Sequence, residues 1–247
     1  MLTDVRVAVL FLTVLPIPPP PQVTPEQIGR SVRYFPLVGL GLGGLLVLVQ
    51  RLLSPYVTPD VLAWILVVLL LGLTGMLHFD GFVDCCDGLL AARDPETRLI
   101  ILQDSRVGSF ALAGGWALLM AKWLALSHLH GASLTLSLGL GSLVGRWAML
   151  LAVVWFPYGR ADGLGSHYQA ATPKSVVLIA SILVGGIVIL LSGGRAWPLL
   201  IGIPLLTWGL GRWILTRLPQ GLTGDCYGLI VEVMELVSWV SVGWLWA

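Results

Sequence analysis

Three aspartates at helical spacing, Asp80, Asp84 and Asp87, are the side chains of this sequence best arranged to do chemistry together. Residues three and four positions apart share one face of a helix, so the three carboxylates would lie side by side. Like charges on one face repel, and a divalent cation is the natural compensation. Because carboxylate ligands favour hard ions, the spacing predicts a Mg²⁺ site, with Mn²⁺ as the second candidate. A solvated acidic helix start is the other interpretation, although an apolar run ends just before these residues.

A histidine, His78, stands two residues before the first of these aspartates. Three chemical roles are open to it, those of general base, substrate contact and weak metal ligand, beside a purely structural role at the membrane interface. Cys85 and Cys86 lie inside the aspartate pattern, and helical spacing turns at least one of them away from the carboxylates. We therefore do not expect the cysteines to bind the metal.

Arginines follow the aspartates, at Arg93, Arg98 and Arg106, and Asp104 stands beside the last of them. Arginine pairs with phosphate oxygens through two parallel hydrogen bonds. Acids that hold a metal beside arginines that hold phosphates are the recurring parts of metal-assisted phosphoryl transfer. The alternative is that these are ordinary arginines at the cytoplasmic membrane surface, an interpretation that fits Arg98 best.

Two further clusters lie in the second half of the chain, around Arg146 and Arg160 and around Asp225. An arginine inside an apolar helix, such as Arg146, faces a partner or a polar cavity by default. Glu232 and Glu235 follow Asp225 at spacings of seven and three, so one helical face can collect all three acids. Carboxylates inside a membrane span are rarely there for stability alone.

The elements that must position these residues are membrane helices. Of the 247 residues, 57% are hydrophobic and 11% are charged, whereas a soluble domain has roughly 25% charged residues. A mean hydropathy of +0.90 agrees, since so little polar surface cannot cover a soluble globule. We expect an all-α, polytopic integral membrane helix bundle that forms a single membrane-embedded catalytic domain over residues 1–247.

Seven apolar stretches approach or reach the roughly 20 residues that a membrane-spanning helix needs. The shorter apolar run of residues 5–15 is expected to form a short interfacial helix, because no small-residue cleavage site of a signal peptide follows it. The seven stretches cover about residues 36–50, 61–77, 108–127, 133–156, 175–192, 197–215 and 228–246.

The basic residues of the connections orient the chain, because cytoplasmic loops are enriched in Lys and Arg. Nearly all the acids lie on the same side, which is typical of an enzyme working at the cytoplasmic face and not of a transporter with ionisable groups at the midplane. We expect a multi-pass protein of the cytoplasmic membrane with its active site facing the cytoplasm. The nine basic residues on this side are Arg6, Arg30, Arg33, Arg93, Arg98, Arg106, Arg160, Lys174 and Arg217, against Arg51 and Arg195 on the other.

Charge and cysteine content narrow the partners further. The net charge is +1 and there is no basic run, so no nucleic-acid partner is expected. The three cysteines do not suggest a disulfide framework. The lipid bilayer is the expected partner, and homo-oligomerisation is left open.

These clusters, in this order, resemble the cobalamin synthase family, the adenosylcobinamide-GDP ribazoletransferases. The most specific part is His-x-Asp-Gly-x-x-Asp-x-x-Asp-Gly, starting at His78, followed by Asp-Ser-Arg-x-Gly, starting at Asp104. Cys85 and Cys86 depart from the small residues expected there, without touching a proposed ligand. The resemblance runs through nearly the whole chain, in residues 11–16, 33–39, 78–108, 157–165 and 222–235.

The resemblance implies a Mg²⁺-dependent transfer in which a ribose hydroxyl of α-ribazole, or of its 5′-phosphate, attacks the phosphate attached to cobinamide in adenosylcobinamide-GDP, and GMP leaves. This is the late assembly of the nucleotide loop of cobalamin. The resemblance implies membership in the site, without individual roles, for the residues on the family's motif positions, which are His78, Asp80, Asp84, Asp87, Asp104, Arg106 and Asp225. Among them we expect His78 and the three aspartates of the helix to be catalytic and Asp80, Asp84 and Asp87 to be the metal ligands. The expected substrate-binding residues are Arg93, Asp104, Arg106, Arg160, Asp225 and Glu232.

Two alternatives remain at this point. A CDP-alcohol phosphotransferase uses Asp-x-x-Asp-Gly-x-x-Ala-Arg, and the segment from Asp84 to Ala91 matches its first half. The arginine, Arg93, comes one residue late and the second half of that pattern is absent from the sequence. A membrane transporter is the less favoured alternative, because the acids lie on one side of the membrane.

Overall fold

The computed structural model describes residues 2–160 and 164–246, and helices make up the regular structure of both ranges. The all-α expectation is confirmed, since these ranges hold no β-strand and only an isolated parallel bridge between Tyr158 and Leu222. A 3₁₀ turn over Val32–Tyr34 joins α2 to α3. The helices are α1 Leu2–Leu12, α2 Pro25–Ser31, α3 Phe35–Leu53, α4 Pro59–Leu73, α5 Leu77–Leu90, α6 Pro95–Ile101, α7 Ser109–Ser127, α8 Gly131–Trp155, α9 Leu164–Ala171, α10 Lys174–Ser192, α11 Trp197–Leu215 and α12 Gly224–Leu245.

Six segments of the described chain are long and apolar enough to cross a membrane, and a bent pair of helices makes up to seven. The expected polytopic bundle of about seven spans is therefore confirmed, and α1, at 11 residues, is too short to span, as expected. The six segments are Pro25–Leu53, which includes α3, and the helices α7, α8, α10, α11 and α12.

The second expected span, residues 61–77, is not one straight helix. Helix α4 has 15 residues, so it is about 22 Å long and shorter than the roughly 30 Å hydrocarbon core. The chain then bends by 92° into α5. Gly75 and Met76 make this bend with φ values of 57° and 59°, in the left-handed region that ends helices. The bend therefore turns the aspartate helix to nearly a right angle with α4.

Helix α8 forms the centre of the bundle, with 89% of its most apolar window buried inside the protein. Helix α3 packs against it with backbones in close contact, because a Cβ at Gly39 would lie 2.2 Å from the carbonyl oxygen of Ser142. A Cβ at Gly43 would lie 2.7 Å from the carbonyl oxygen of Leu138. Two glycines four positions apart thus provide the small-residue contact by which membrane helices approach each other.

Helices α5 and α12 cross through a second pair of glycines. A Cβ at Gly81 would lie 2.8 Å from the carbonyl oxygen of Asp225, and one at Gly228 would lie 2.7 Å from that of His78. This close crossing sets the start of α12 beside the aspartate helix. The packing of the last span beside the His78–Gly88 segment, which the role of Asp225 requires, is therefore present.

Arg98 has a structural role that its position in the sequence did not indicate. Its side chain is buried, and it donates hydrogen bonds to the carbonyl oxygens of Gly88 at 3.0 Å, Leu89 at 2.5 Å and Arg93 at 2.8 Å. The carbonyls of Gly88 and Leu89 lie in the last turn of α5, where carbonyl groups have no partner within the helix, and Arg93 lies in the loop that follows. Arg98 therefore stabilises the C-terminus of the aspartate helix and is not a free surface arginine.

Candidate functional site

A cavity of about 310 Å³ lies where α5, the end of α8 and the start of α12 meet, at one end of the bundle. Its polar lining consists of His78, Asp80, Arg160 and Asp225. The fold thus brings together residues from three of the sequence clusters, since His78 and Asp225 are 147 positions apart in the chain. The tight crossing of α5 and α12 is what assembles them.

Two loops are joined by backbone hydrogen bonds beside the cavity, and this contact places Arg160 against Asp225. Gly159 N donates to the carbonyl oxygen of Leu222 at 2.8 Å, and Leu222 N donates to that of Pro157 at 2.8 Å. Arg160 Nη2 then donates to Asp225 Oδ2 at 2.9 Å. The two side chains are 24% and 21% exposed, so the pair is accessible from the cavity.

The three aspartates of α5 lie on consecutive turns of one helix, as their spacing predicted. Asp84 is half-buried, and Asp80, Asp87 and Asp225 are all close enough to act on its charge, with Arg160 as the opposing cation. The fold thus adds a fourth carboxylate to the expected three. In the described part of the chain, no group of three or more His, Cys, Asp or Glu side chains has an arrangement that could hold a metal ion as it stands. The donor set nevertheless has the chemistry of a hard-ion site, because it consists of carboxylates.

Asp87 has an additional partner that fixes its orientation. It accepts hydrogen bonds from Gly108 N at 2.6 Å and from Ala111 N at 2.9 Å, at the N-terminus of α7. An anionic side chain is favoured there by the unpaired N–H groups and the helix dipole. A Cβ at Gly108 would lie 2.6 Å from Asp87 Oδ1, so this contact requires glycine. Gly108 is the last residue of the Asp-Ser-Arg-x-Gly motif, and the structure gives it a role that the motif alone did not indicate.

Gly108→Ala is expected to slow any catalysis at this site by about tenfold or more, the equivalent of one lost hydrogen bond near 1.4 kcal/mol. The added methyl group displaces the Asp87 carboxylate from α7. The measurement is kcat of the purified variant, with circular dichroism as the check on folding. Gly44→Ala is the matched control, because a Cβ there meets no atom within 4 Å. Equal rates for the two variants would mean that the position of Asp87 does not matter for turnover.

The arginine cluster around Arg106 lies outside the cavity in the structure. Arg106 is 89% exposed and binds Asp104, with Nη2 to Oδ2 at 2.6 Å and Nε to both carboxylate oxygens at 3.0 Å. The Arg106 guanidinium holds the pKa of Asp104 down, at about 2. Arg93 is also exposed, and neither arginine is among the described residues that line the cavity.

Glu232 belongs to a buried ion-pair network and does not line the cavity. Its carboxylate binds Lys122, which also binds Glu235 Oε2 at 2.9 Å, and Glu235 in turn binds Arg146. All four side chains are at most 5% exposed. Arg146 thus has the partner expected of a membrane arginine, whereas the sequence interpretation gave Lys122 no role. Its signal was a lone lysine inside an apolar stretch.

The network adjoins the cavity through His78. Arg146 and Lys122 are both close enough to act on its imidazole, which is 2% exposed. Within the described residues, His78 Nε2 has no hydrogen-bond partner. The histidine therefore stands between a buried charge network and the open side of the cavity, with one ring nitrogen available.

Known proteins are similar to this chain over nearly its whole length. A family model described as cobalamin-5-phosphate synthase matches residues 4–243. An adenosylcobinamide-GDP ribazoletransferase of Desulfitobacterium hafniense is 39% identical, over 94% of this chain and 92% of the relative. Similar proteins of the same name from Synechococcus sp. and Deinococcus radiodurans are 38% and 37% identical over 97% of this chain, and over 95% and 85% of their own lengths. No solved structure matches the chain.

Proposed function

Because the chain belongs to the cobalamin-5-phosphate synthase family, a family of transferases in the assembly of the cobalamin nucleotide loop, we propose that it joins adenosylcobinamide-GDP to α-ribazole or α-ribazole 5′-phosphate. Its relatives carry the name adenosylcobinamide-GDP ribazoletransferase. The observation that carries the proposal is the cavity in which His78, Asp80, Arg160 and Asp225 meet beside the other aspartates of α5.

In the proposed reaction, a ribose hydroxyl of the acceptor attacks the phosphorus that bears cobinamide. A P–O bond to the acceptor forms, the bond of that phosphorus to the bridging oxygen of the pyrophosphate breaks, and GMP leaves. His78 is part of the cavity lining, and its buried Nε2 has no partner among the described residues. We assign to this nitrogen the proton of the hydroxyl. Arg160 faces the donor phosphates, and Asp225 holds its guanidinium in place.

Asp80, Asp84 and Asp87 would hold the divalent ion, Mg²⁺ or Mn²⁺, because they offer hard oxygen ligands from one helix. When bound, such an ion neutralises the charge of the donor pyrophosphate. The hydrogen bonds from α7 fix Asp87 and so limit the freedom of one ligand before the ion arrives. The half-buried position of Asp84 among three other acids supports the need for a cation there.

The test is to incubate the purified protein in lipid nanodiscs with adenosylcobinamide-GDP, α-ribazole and Mg²⁺. GMP and the coupled product should appear in equal amounts, and a chelator should stop both. CDP-activated alcohols serve as the competing donors. Turnover of those donors instead, or GMP release that does not depend on the acceptor, would reject the proposal.

Arg93 and Arg106 are proposed to bind donor phosphates after Arg106 leaves Asp104. Arg106→Lys is expected to lower kcat/KM for the donor by about a hundredfold, roughly 3 kcal/mol, because lysine keeps the charge but lacks the planar fork. Steady-state kinetics with varied donor measures the effect. Arg51→Lys is the control, because Arg51 is exposed and lies in the last turn of α3. A hundredfold difference between these variants supports the role, and equal kinetics contradicts it.

The site is proposed to face the cytoplasm, as the distribution of basic residues predicts. The native cysteines are buried, so an engineered cysteine can be labelled against a low background. In spheroplasts, Glu96→Cys at the exposed surface of α6 should be protected from an impermeant thiol reagent. Tyr56→Cys, in the exposed loop after α3, should be labelled readily. The reverse pattern would place the site on the outer side.

A further inference from the structure

The cavity has aromatic lining residues that the proposed reaction does not use. We propose that these aromatic residues bind the planar base of the acceptor nucleoside, and that the Tyr227 hydroxyl donates a hydrogen bond to the free ring nitrogen of that base. The inference rests on the proposed function for the identity of the acceptor. It assigns the acceptor, and not the donor, to a defined set of residues.

The cavity lining combines two kinds of side chain. His78, Asp80, Arg160 and Asp225 are its charged or ionisable members. The aromatic members are Phe11, Tyr158, Tyr168 and Tyr227, and Met149 lies with them in the lining. A ligand with a flat apolar part and a hydroxyl-bearing part, such as a base attached to a ribose, has a matching group for each kind of side chain.

The aromatic walls are formed before any ligand arrives. Phe11 and Tyr168 pack edge to face with ring centroids 5.4 Å apart, and Phe35 supports both, at 5.6 Å and 5.5 Å. Tyr158 and Tyr227 are close to parallel, with an interplanar angle of 17° and centroids 6.4 Å apart. Aromatic rings favour offset-stacked and edge-to-face contacts, and walls already in place lower the ordering cost of binding.

A buried donor without an acceptor points to where the base lies. Tyr227 is 2% exposed, and its hydroxyl has no hydrogen-bond partner among the described residues. An unpaired buried hydroxyl costs about 1–3 kcal/mol, which a ligand that supplies an acceptor recovers. The base of α-ribazole is a benzimidazole that uses one ring nitrogen for the bond to ribose. Its other ring nitrogen keeps a lone pair and is an acceptor.

The size of the cavity favours the acceptor over the donor. Its volume, about 310 Å³, is near the lower end of the roughly 300–1,000 Å³ typical of small-molecule pockets. A nucleoside fits a space of that kind, whereas a corrinoid bearing a nucleotide does not. The donor must therefore approach from the open side, with only its phosphates reaching Asp80 and Arg160.

The test combines one protein change with one ligand change. The protein change is Tyr227→Phe, which keeps the ring and removes the hydroxyl. The ligand change is the indole riboside, which keeps the fused rings of the benzimidazole riboside and lacks the free ring nitrogen. Binding of both ribosides is measured by calorimetry without donor, and KM for each is measured with donor present. Tyr56→Phe, at an exposed tyrosine far from the cavity, is the control.

We expect the wild-type protein and the control to bind the benzimidazole riboside about tenfold more tightly than the indole riboside, as for one hydrogen bond of about 1.4 kcal/mol. Tyr227→Phe should bind both ribosides equally, with a raised KM for the acceptor and an unchanged KM for the donor. Retention of the tenfold preference in Tyr227→Phe, or no preference in the wild type, overturns the assignment. If the wild type releases no GMP with either riboside, the proposed function is rejected instead. The calorimetry still tests the binding site in that case, because it measures riboside binding without the donor.

Discussion

Asp84→Asn is expected to reduce turnover by at least about a thousandfold, the order of effect of losing a group that stabilises transition-state charge. Asp84 lies between the other two aspartates of α5 and close to Asp225 and Arg160, so it stands at the centre of the charged groups. Asparagine has nearly the same shape and keeps one oxygen, but it removes the negative charge. The loss should therefore fall on metal binding and leave the helix intact.

The measurement is kcat over a titration of Mg²⁺, with GMP as the product detected. Asp94→Asn is the matched control on the same side of the protein. Asp94 caps α6 by accepting a hydrogen bond from Thr97 N at 2.9 Å, and asparagine caps a helix equally well. We expect the control to keep wild-type turnover. An Asp84→Asn protein that is nearly as active as the wild type at limiting Mg²⁺ would remove Asp84 from the proposed metal site.

Lys122→Met is expected to lower the free energy of unfolding by about 3–5 kcal/mol, because it leaves buried carboxylates without one of their cations. Lys122 joins α7 to α12 through Glu232 and Glu235, and Arg146 adds α8 to the same network. Two cations and two carboxylates balance in the wild type, and the single change leaves one negative charge uncompensated. The methionine side chain largely replaces the methylene chain of Lys122, so the main loss is the positive charge.

The double variant Lys122→Met with Glu232→Gln restores the balance and should recover much of the lost stability. Unfolding in mixed detergent micelles, followed by far-UV circular dichroism, gives the free energies of the two single variants and of the double variant. Arg51→Met, at an exposed position near the end of α3, is the control and should change stability little. If the double variant is as unstable as the sum of its two single changes, the network does not act through charge balance.

The sequence alone was sufficient for the class of fold and for the local part of the site. Composition and apolar stretches of spanning length depend only on neighbouring residues, and they predicted a helical membrane bundle. The spacing of Asp80, Asp84 and Asp87 predicted one helix face, and α5 has that helix. The resemblance carried by the His78–Gly108 segment agreed with the family that the comparisons show.

The tertiary structure decided which distant residues meet. The 92° bend between α4 and α5 cannot be read from hydropathy, because the apolar character continues through Leu77 while two left-handed residues turn the backbone. Asp87 caps the N-terminus of α7, and Arg98 caps the C-terminus of α5. Helical periodicity relates neither residue to the backbone groups that it binds.

The same holds for the ion pairs. Lys122 and Glu235 are 113 positions apart, and Arg160 and Asp225 are 65 apart. The sequence shows that Lys122 and Glu235 are charges in apolar stretches that need a partner, and that Arg160 is a basic residue of a loop. It does not show which partner, because that depends on glycines such as Gly81 and Gly228 allowing two helices to cross in contact. Helical periodicity fixes which residues share a face, and only the packing of the helices fixes what that face meets.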